Sequence, residues 1–116
     1  ESLAYPSADK QFLQSIIDSI EQHLEESEFD LEKLAAEKNM SKSTLYRKIK
    51  SMTGMTPLDF IRNIKMKRAC MMLFNRSHTI SEVAYAVGFN SPKYFTRCFK
   101  DEFGVTPSEY LQKNTP

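Results

Sequence analysis

The sequence predicts an all-α protein: seven helices, forming two helix-turn-helix subdomains joined by a long central linker helix. Three observations predict it. After Pro57, the stretch from Thr56 to Phe74 contains no glycine and no second proline. Segments on either side of that stretch repeat one another at a spacing of 49 or 50 positions. In both copies two helical patterns are separated by a turn of only a few residues.

The central stretch reads as one helix over 57–74. The Thr56 hydroxyl can cap its first turn, and Pro57 occupies the first helical position, where a missing N–H costs nothing. Its apolar residues do not form one narrow stripe. Ile61, Ile64 and Met72 fall on one side, while Met66, Ala69 and Leu73 spread around the helix. So broad an apolar surface implies neighbours on more than one side.

The repeats flank this helix. Leu31-Glu32-Lys33-Leu34-Ala35 returns as Ile80-Ser81-Glu82-Val83-Ala84, 49 positions on. Leu45-Tyr46-Arg47-Lys48-Ile49-Lys50 returns as Phe95-Thr96-Arg97-Cys98-Phe99-Lys100, and Gly54-Met55-Thr56-Pro57 as Gly104-Val105-Thr106-Pro107, both 50 positions on. The extra residue falls between Met40 and Leu45, inside the turn. A repeat that drifts only in its turn is a repeat of structure.

The 116 residues suit one domain, or two very small ones sharing a core. No apolar run approaches membrane-spanning length, and no signal-peptide pattern is present. Glu1 stands where an initiating Met would, so a piece of a longer protein is expected. Cys70 and Cys98 fall inside helical patterns without metal-ligand spacing, and read as small apolar fillers in a reducing cytoplasm. The net charge of +1 hides an asymmetry. Residues 1–37 hold ten acids and two bases, for −8; residues 38–116 hold fourteen bases and five acids, for +9. A basic body points to a polyanionic partner.

In chain order, residues 1–8 read as a lead-in. From about Asp9 to Glu26, Phe12, Leu13, Ile16, Ile17, Ile20 and Leu24 make an amphipathic helix whose outer face carries Asp18, Glu21, Glu25 and Glu26. Such a face repels phosphate and is expected to point away from it. Asp30 caps a short helix from Leu31 to about Lys38. Asn39 tolerates the left-handed turn that follows, and Ser41 caps a helix over about Lys42–Met52, closed by Gly54. Small Ala35 lets the paired helices approach, with Met40 as a plug. In the second copy Thr79 caps Ile80–Val87, Ala84 replaces Ala35, Gly88 replaces Asn39 and Phe89 replaces Met40. Ser91-Pro92 opens a helix to about Phe103, with Phe95, Phe99 and Phe103 expected as a core row. Thr106-Pro107 opens a last short helix with Tyr110 packing back.

The second helix of each pair carries the chemistry. With Leu45, Ile49 and Met52 inward, Lys42, Ser43, Tyr46, Arg47 and Lys50 face out. With the Phe row inward, Lys93, Tyr94, Thr96, Arg97 and Lys100 face out, and no acid appears before Asp101. Arg pairs bidentately with guanine O6 and N7 in the major groove; Lys, Ser and helix N-terminal N–H groups suit phosphates. A single basic helix is usually a solvated face. Two matched ones in matched frames favour DNA. An eighteen-residue helix is about 27 Å long, which with the flanking bodies suits two readers separated by about one DNA turn, roughly 34 Å.

Taken together, Leu34-Ala35, Ser41-Lys42-Ser43-x-Leu45-Tyr46-Arg47, Gly54-x-Thr56-Pro57, Ala69, Ile80-Ser81-Glu82-Val83-Ala84, Gly88-Phe89, Tyr94-Phe95-x-Arg97-x-Phe99-Lys100 and Gly104-x-Thr106-Pro107-x-x-Tyr110 resemble the AraC/XylS-type DNA-binding domain over about residues 9–112. The second half carries the specific part of the match. The resemblance implies bacterial transcription regulation through double-stranded DNA. It implies base reading by Ser43, Thr44, Tyr46 and Arg47 in the first copy and by Lys93, Tyr94, Thr96 and Arg97 in the second. Ser41, Lys42, Lys50, Ser91 and Lys100 are the expected phosphate contacts. Asn39 and Lys65 depart mildly from the family pattern, which often has Gly and Arg there.

The expected organisation is a lead-in over 1–8, a DNA-binding domain over 9–112 and a tail over 113–116. Within the domain, the first helix-turn-helix subdomain covers 9–54, the linker helix 56–74 and the second subdomain 79–112. The family usually joins such a domain to an effector-binding or receiver domain. The Ser-Lys-Ser-x-Leu-Tyr-Arg-Lys run also resembles output domains of two-component regulators, including hybrid sensor kinases. RNA polymerase, a missing N-terminal sensor or receiver domain and a homodimer of the whole protein are the further partners expected. The setting is the cytoplasm, or the cytoplasmic part of a membrane-anchored regulator. The competing reading is a helical protein-interaction module whose basic face meets an acidic partner; it predicts binding without operator preference. An enzyme reading finds little support: His23 and His78 are isolated, and no phosphate loop or activated nucleophile is visible. No cofactor, metal ligand or catalytic residue is expected in this stretch, although a whole protein with a kinase or receiver part fits it.

Overall fold

A computed structural model describes residues 7–114; the lead-in up to Pro6 and the last two residues of the expected tail lie outside the described residues. The described chain is helical, with seven helices and no strand: α1 (Ser7–Gln22), α2 (Leu31–Glu37), α3 (Lys42–Thr53), α4 (Pro57–Asn75), α5 (Ile80–Ala86), α6 (Pro92–Phe103) and α7 (Pro107–Lys113). Contacts divide it into two units. Among the described residues, the first holds 7–23 together with 29–64, and the second holds 24–28 together with 65–114.

Local chemistry fixes the helix starts. The side chains of Asp30, Ser41, Thr79, Ser91 and Thr106 each accept a hydrogen bond from the backbone N–H three residues on, and Asp59 N–H donates to Thr56 Oγ1 at the start of α4. Thr79 with Glu82, and Thr106 with Glu109, are full capping boxes. At the other ends, Asn39 (φ 55°) and Gly54 (φ 76°) take the left-handed geometry expected of them.

In the first unit α2 packs on α3, and α1 packs on both. Ile16 and Ile20 of α1, Leu34 and Ala35 of α2, Leu45 and Ile49 of α3, and Phe60, Ile61 and Ile64 of α4 form its core with Phe29. In the second unit α6 packs on α5 and α7. Met66, Ala69 and Leu73 of α4 meet Val83, Ala84, Val87, Phe95, Cys98 and Phe99 there. The broad apolar surface of α4 is thereby explained: its first half supplies one core and its second half the other. Met72, on the same side of the helix as Ile61 and Ile64 but further along it, packs against the second core. Cys70 and Cys98 are free thiols. Burial pushes the Cys70 thiol up in pKa, and it shares a hydrogen bond with the Tyr110 hydroxyl.

Three expectations need correction. The helix expected to reach Glu26 ends at Gln22. Glu25, Glu26 and Glu28 would crowd negative charge against the negative end of the helix dipole, and Leu24 instead turns into the second core. Phe103 is 37% exposed, so the core row ends at Phe99, against whose ring Phe103 packs at 4.7 Å. Its position in the last turn of α6 carries it past the edge of the core. Thr96, expected on the outer face, is half-buried; three residues before buried Phe99, it sits only about 60° round the helix from that ring, at the edge of the buried row.

One polar cluster was not legible beforehand. His23 stacks on Phe29 with centroids 4.2 Å apart, and its Nε2 contacts Glu37 Oε2, joining the end of α1 to the end of α2. The Ser19 hydroxyl and the His23 ring hold the Glu37 carboxyl below its ordinary 4.5. The folded form therefore binds this proton less readily than the unfolded chain. The contact stabilises the fold fully above the unfolded value and is lost as pH falls through the lowered one. Glu37→Gln is expected to flatten the fall in melting temperature between about pH 6 and pH 3; parallel wild-type and variant curves would show that the cluster contributes nothing.

Candidate nucleic-acid interface

The second helix of each pair presents its polar face outward. On α3, Leu45 and Ile49 are buried and Met52 is half-buried, which leaves Lys42, Ser43, Thr44, Tyr46, Arg47 and Lys50 exposed. On α6, Phe95, Cys98 and Phe99 are buried, which leaves Lys93, Tyr94, Arg97 and Lys100 exposed. Of the eight expected base-reading positions, only Thr96 is not fully on the surface. Within each unit the structure brings these residues onto one face of one helix, behind one capped N-terminus.

The side chains differ in how they are held. Ser41 accepts the Thr44 N–H at 3.1 Å and donates to Thr44 Oγ1 at 2.8 Å, so both hydroxyls are ordered before any ligand arrives. Ser91 accepts the Tyr94 N–H at 3.1 Å. Both serines are therefore helix caps in the free protein. Tyr46 is 41% exposed and Tyr94 44% exposed. The Tyr94 ring leans on Phe89 with centroids 5.7 Å apart, and Phe89 packs edge-on to Phe95 at 5.4 Å. Arg47 and Arg97 make no hydrogen bond or ion pair to another described residue, and both are exposed. Lys48, one position after Arg47, is drawn aside: its Nζ sits 4.7 Å from the centre of the Phe12 ring of α1. Helical spacing already leaves Lys48 off the outward set of Lys42, Arg47 and Lys50.

The two basic residues at the helix ends also differ. Lys50 Nζ donates weakly to the Gly54 carbonyl at 3.4 Å. Lys100 stands with Lys113 and Glu109 beside a groove of about 550 Å³. The Thr106 N–H holds the Glu109 carboxylate in the capping box and keeps its pKa low, helped by Lys100 and Lys113. Among the described residues no group of three His, Cys, Asp or Glu side chains is placed to hold a metal ion, and no helix is long and apolar enough to cross a membrane.

The family model described as a helix-turn-helix domain matches residues 34–113. The chain belongs to the AraC-type helix-turn-helix family. This AraC-type domain is 40% identical over 107 residues to histidine kinase P4 of Formosa agariphila, covering 92% of this chain and 8% of that protein. The chain thus spans a small part of that relative's length. Among solved structures, it resembles the C-terminal domain of AraT, a response regulator from Geobacillus stearothermophilus, with a TM-score of 0.82 and 29% identity over 89% of this chain and 85% of that one. It also resembles the DNA-binding domain of the global transcriptional factor AdpA, solved in complex with a target DNA, with a TM-score of 0.78 and 32% identity over 87% of this chain and 90% of that one.

Proposed function

We propose that this AraC-type domain, over residues 9–112, binds double-stranded DNA sequence-specifically to regulate transcription, with α3 and α6 reading successive major grooves. One observation carries the reading: two matched, capped helices each present an exposed Arg, without a partner among the described residues, beside exposed Lys and Tyr, with no acid before Asp101 on the second of them. The likeness to the DNA-bound AdpA domain supports it. Arg47 and Arg97 read guanine bidentately, with Ser43, Thr44, Tyr46, Lys93, Tyr94 and Thr96 completing the two base-reading sets. Lys42, Lys50, Lys100 and the capped N-termini behind Ser41 and Ser91 hold phosphates.

The likeness to a histidine kinase and to a response-regulator domain supports an output role in a two-component system. The sensor or receiver part lies in the rest of such a protein, RNA polymerase is the downstream partner, and dimer contacts come from the whole chain. The cytoplasm is the compartment such a role requires.

Arg47→Ala and Arg97→Ala are each expected to cost about 1–3 kcal/mol at a cognate site and to relax selectivity at one base pair. Lys50→Ala is expected to weaken all sequences about equally and lower the salt slope by about one. Titrations against cognate and scrambled duplexes at several salt concentrations check both. Unchanged selectivity in both Arg variants would remove these residues from the reading faces. Equal affinity of the wild type for every duplex would favour the protein-interaction module.

A further inference from the structure

Lys65 is the least expected side chain in the molecule. It lies on α4 with bases around it, yet it is 7% exposed, and burial lowers its pKa below the ordinary lysine value. Its ammonium ends beside Gly88, in the turn between α5 and α6. A Cβ placed on Gly88 would stand 2.7 Å from Lys65 Nζ, 2.5 Å from the Leu24 carbonyl oxygen and 3.5 Å from the Glu26 carbonyl oxygen. All of these groups belong to the second unit. One cation and two carbonyl oxygens thus converge on the backbone of the turn that aims α6.

That turn leads directly to the outer face. Phe89 N–H donates to the Ala84 carbonyl at 2.9 Å, and the Phe89 ring then packs on Phe95 and Tyr94. Tyr94 stands among the base-reading positions. A displacement at Gly88 is therefore passed through Phe89 to the first turn of α6.

We propose that Lys65 is a positioning residue for DNA reading: its buried ammonium clamps the Leu24 and Glu26 carbonyls against the Gly88 turn and so fixes the aim of α6. The inference rests on the DNA reading above. Lysine suits the task because its flexible stem crosses apolar surface and ends in a compact cation. Removing the charge leaves the carbonyls without their cation while the stem can still be filled.

The test uses the whole chain and a duplex bearing both half-sites, with each half-site scrambled in turn. For the wild type, scrambling either half-site is expected to cost about tenfold or more in affinity. In Lys65→Met, scrambling the half-site read by α6 is expected to cost less than twofold, while scrambling the α3 half-site keeps its full effect. Lys65→Arg restores both. Lys65→Gln serves if the Met variant does not melt as a folded protein. Val83→Ala, a cavity in the same core, controls for lost stability and is expected to keep wild-type sensitivity. A folded Met or Gln variant with undiminished sensitivity to the α6 half-site, or a Val83→Ala variant that loses it equally, overturns the clamp alone. A wild type indifferent to both scrambles overturns the DNA reading and the clamp together.

Discussion

Ile64→Pro is expected to abolish sequence-specific DNA binding. Proline inside a helix removes one backbone hydrogen bond and drives its ring against the carbonyl four residues earlier, at a cost of about 3 kcal/mol or more. Position 64 sits well inside α4, and its side chain is buried in the first core. It is also where the chain passes from the first unit to the second, since Lys65 already belongs to the second. A break there severs the helical continuity between two readers that the proposed mechanism uses together. Ile64→Ala separates the two losses: it opens a cavity costing about 2–5 kcal/mol but leaves the helix intact. The Ala variant is expected to melt earlier yet keep selectivity for both half-sites at low temperature, while the Pro variant falls to non-specific affinity. Footprinting checks this, and protection of both half-sites by Ile64→Pro would mean that the two halves bind independently.

Among the three glycines, the largest loss of stability is expected at Gly88. Gly54, Gly88 and Gly104 all have positive φ, at 76°, 87° and 80°. Any L-residue there meets the left-handed penalty of about 1–2 kcal/mol. A Cβ at Gly54 or Gly104 enters open space, with nothing within 4 Å, whereas at Gly88 it meets a backbone carbonyl oxygen at 2.5 Å and the Lys65 ammonium at 2.7 Å. Gly54→Ala and Gly104→Ala are expected to stay near that penalty, and Gly88→Ala to exceed it, reaching about 3 kcal/mol or more. Urea unfolding of the three variants measures the difference. Equal losses would mean that the segment over 24–28 yields to the new methyl group.

This crowding also explains a difference between the two copies. The counterpart of Gly88 is Asn39, which adopts φ 55° but is exposed, whereas Gly88 is buried. A side chain fits the first turn because it points into solvent. In the sequence the two positions looked interchangeable, as two ways to reach left-handed geometry; the requirement for glycine at one of them comes from residues more than sixty positions earlier.

The same distinction separates what was legible from what was not. Capping residues, left-handed turns and the short links between helices are local, so Asp30, Ser41, Thr79, Ser91 and Thr106 could be read from their neighbours. The outward placement of Arg47 and Arg97 followed from helical spacing once Leu45 and Phe95 were taken as buried. Long-range packing was not legible. Nothing in the sequence marked charged Lys65 as buried, yet it is 7% exposed, with its ammonium beside Gly88. Leu24 continued the apolar period of α1, yet the chain leaves the helix before it and commits it to the other core. Helical spacing left Lys48 off the basic face, but only the fold shows that its ammonium sits over the Phe12 ring of α1.

If one chain reads two half-sites with two helices, selection of bound sequences from random duplex DNA will reveal both. At about physiological salt, the expected result is enrichment of two short motifs whose centres lie about one helical turn, roughly 10 base pairs, apart, bound by one protein molecule per duplex. Enrichment of a single short motif, or of none even when the domain is artificially dimerised, would contradict it.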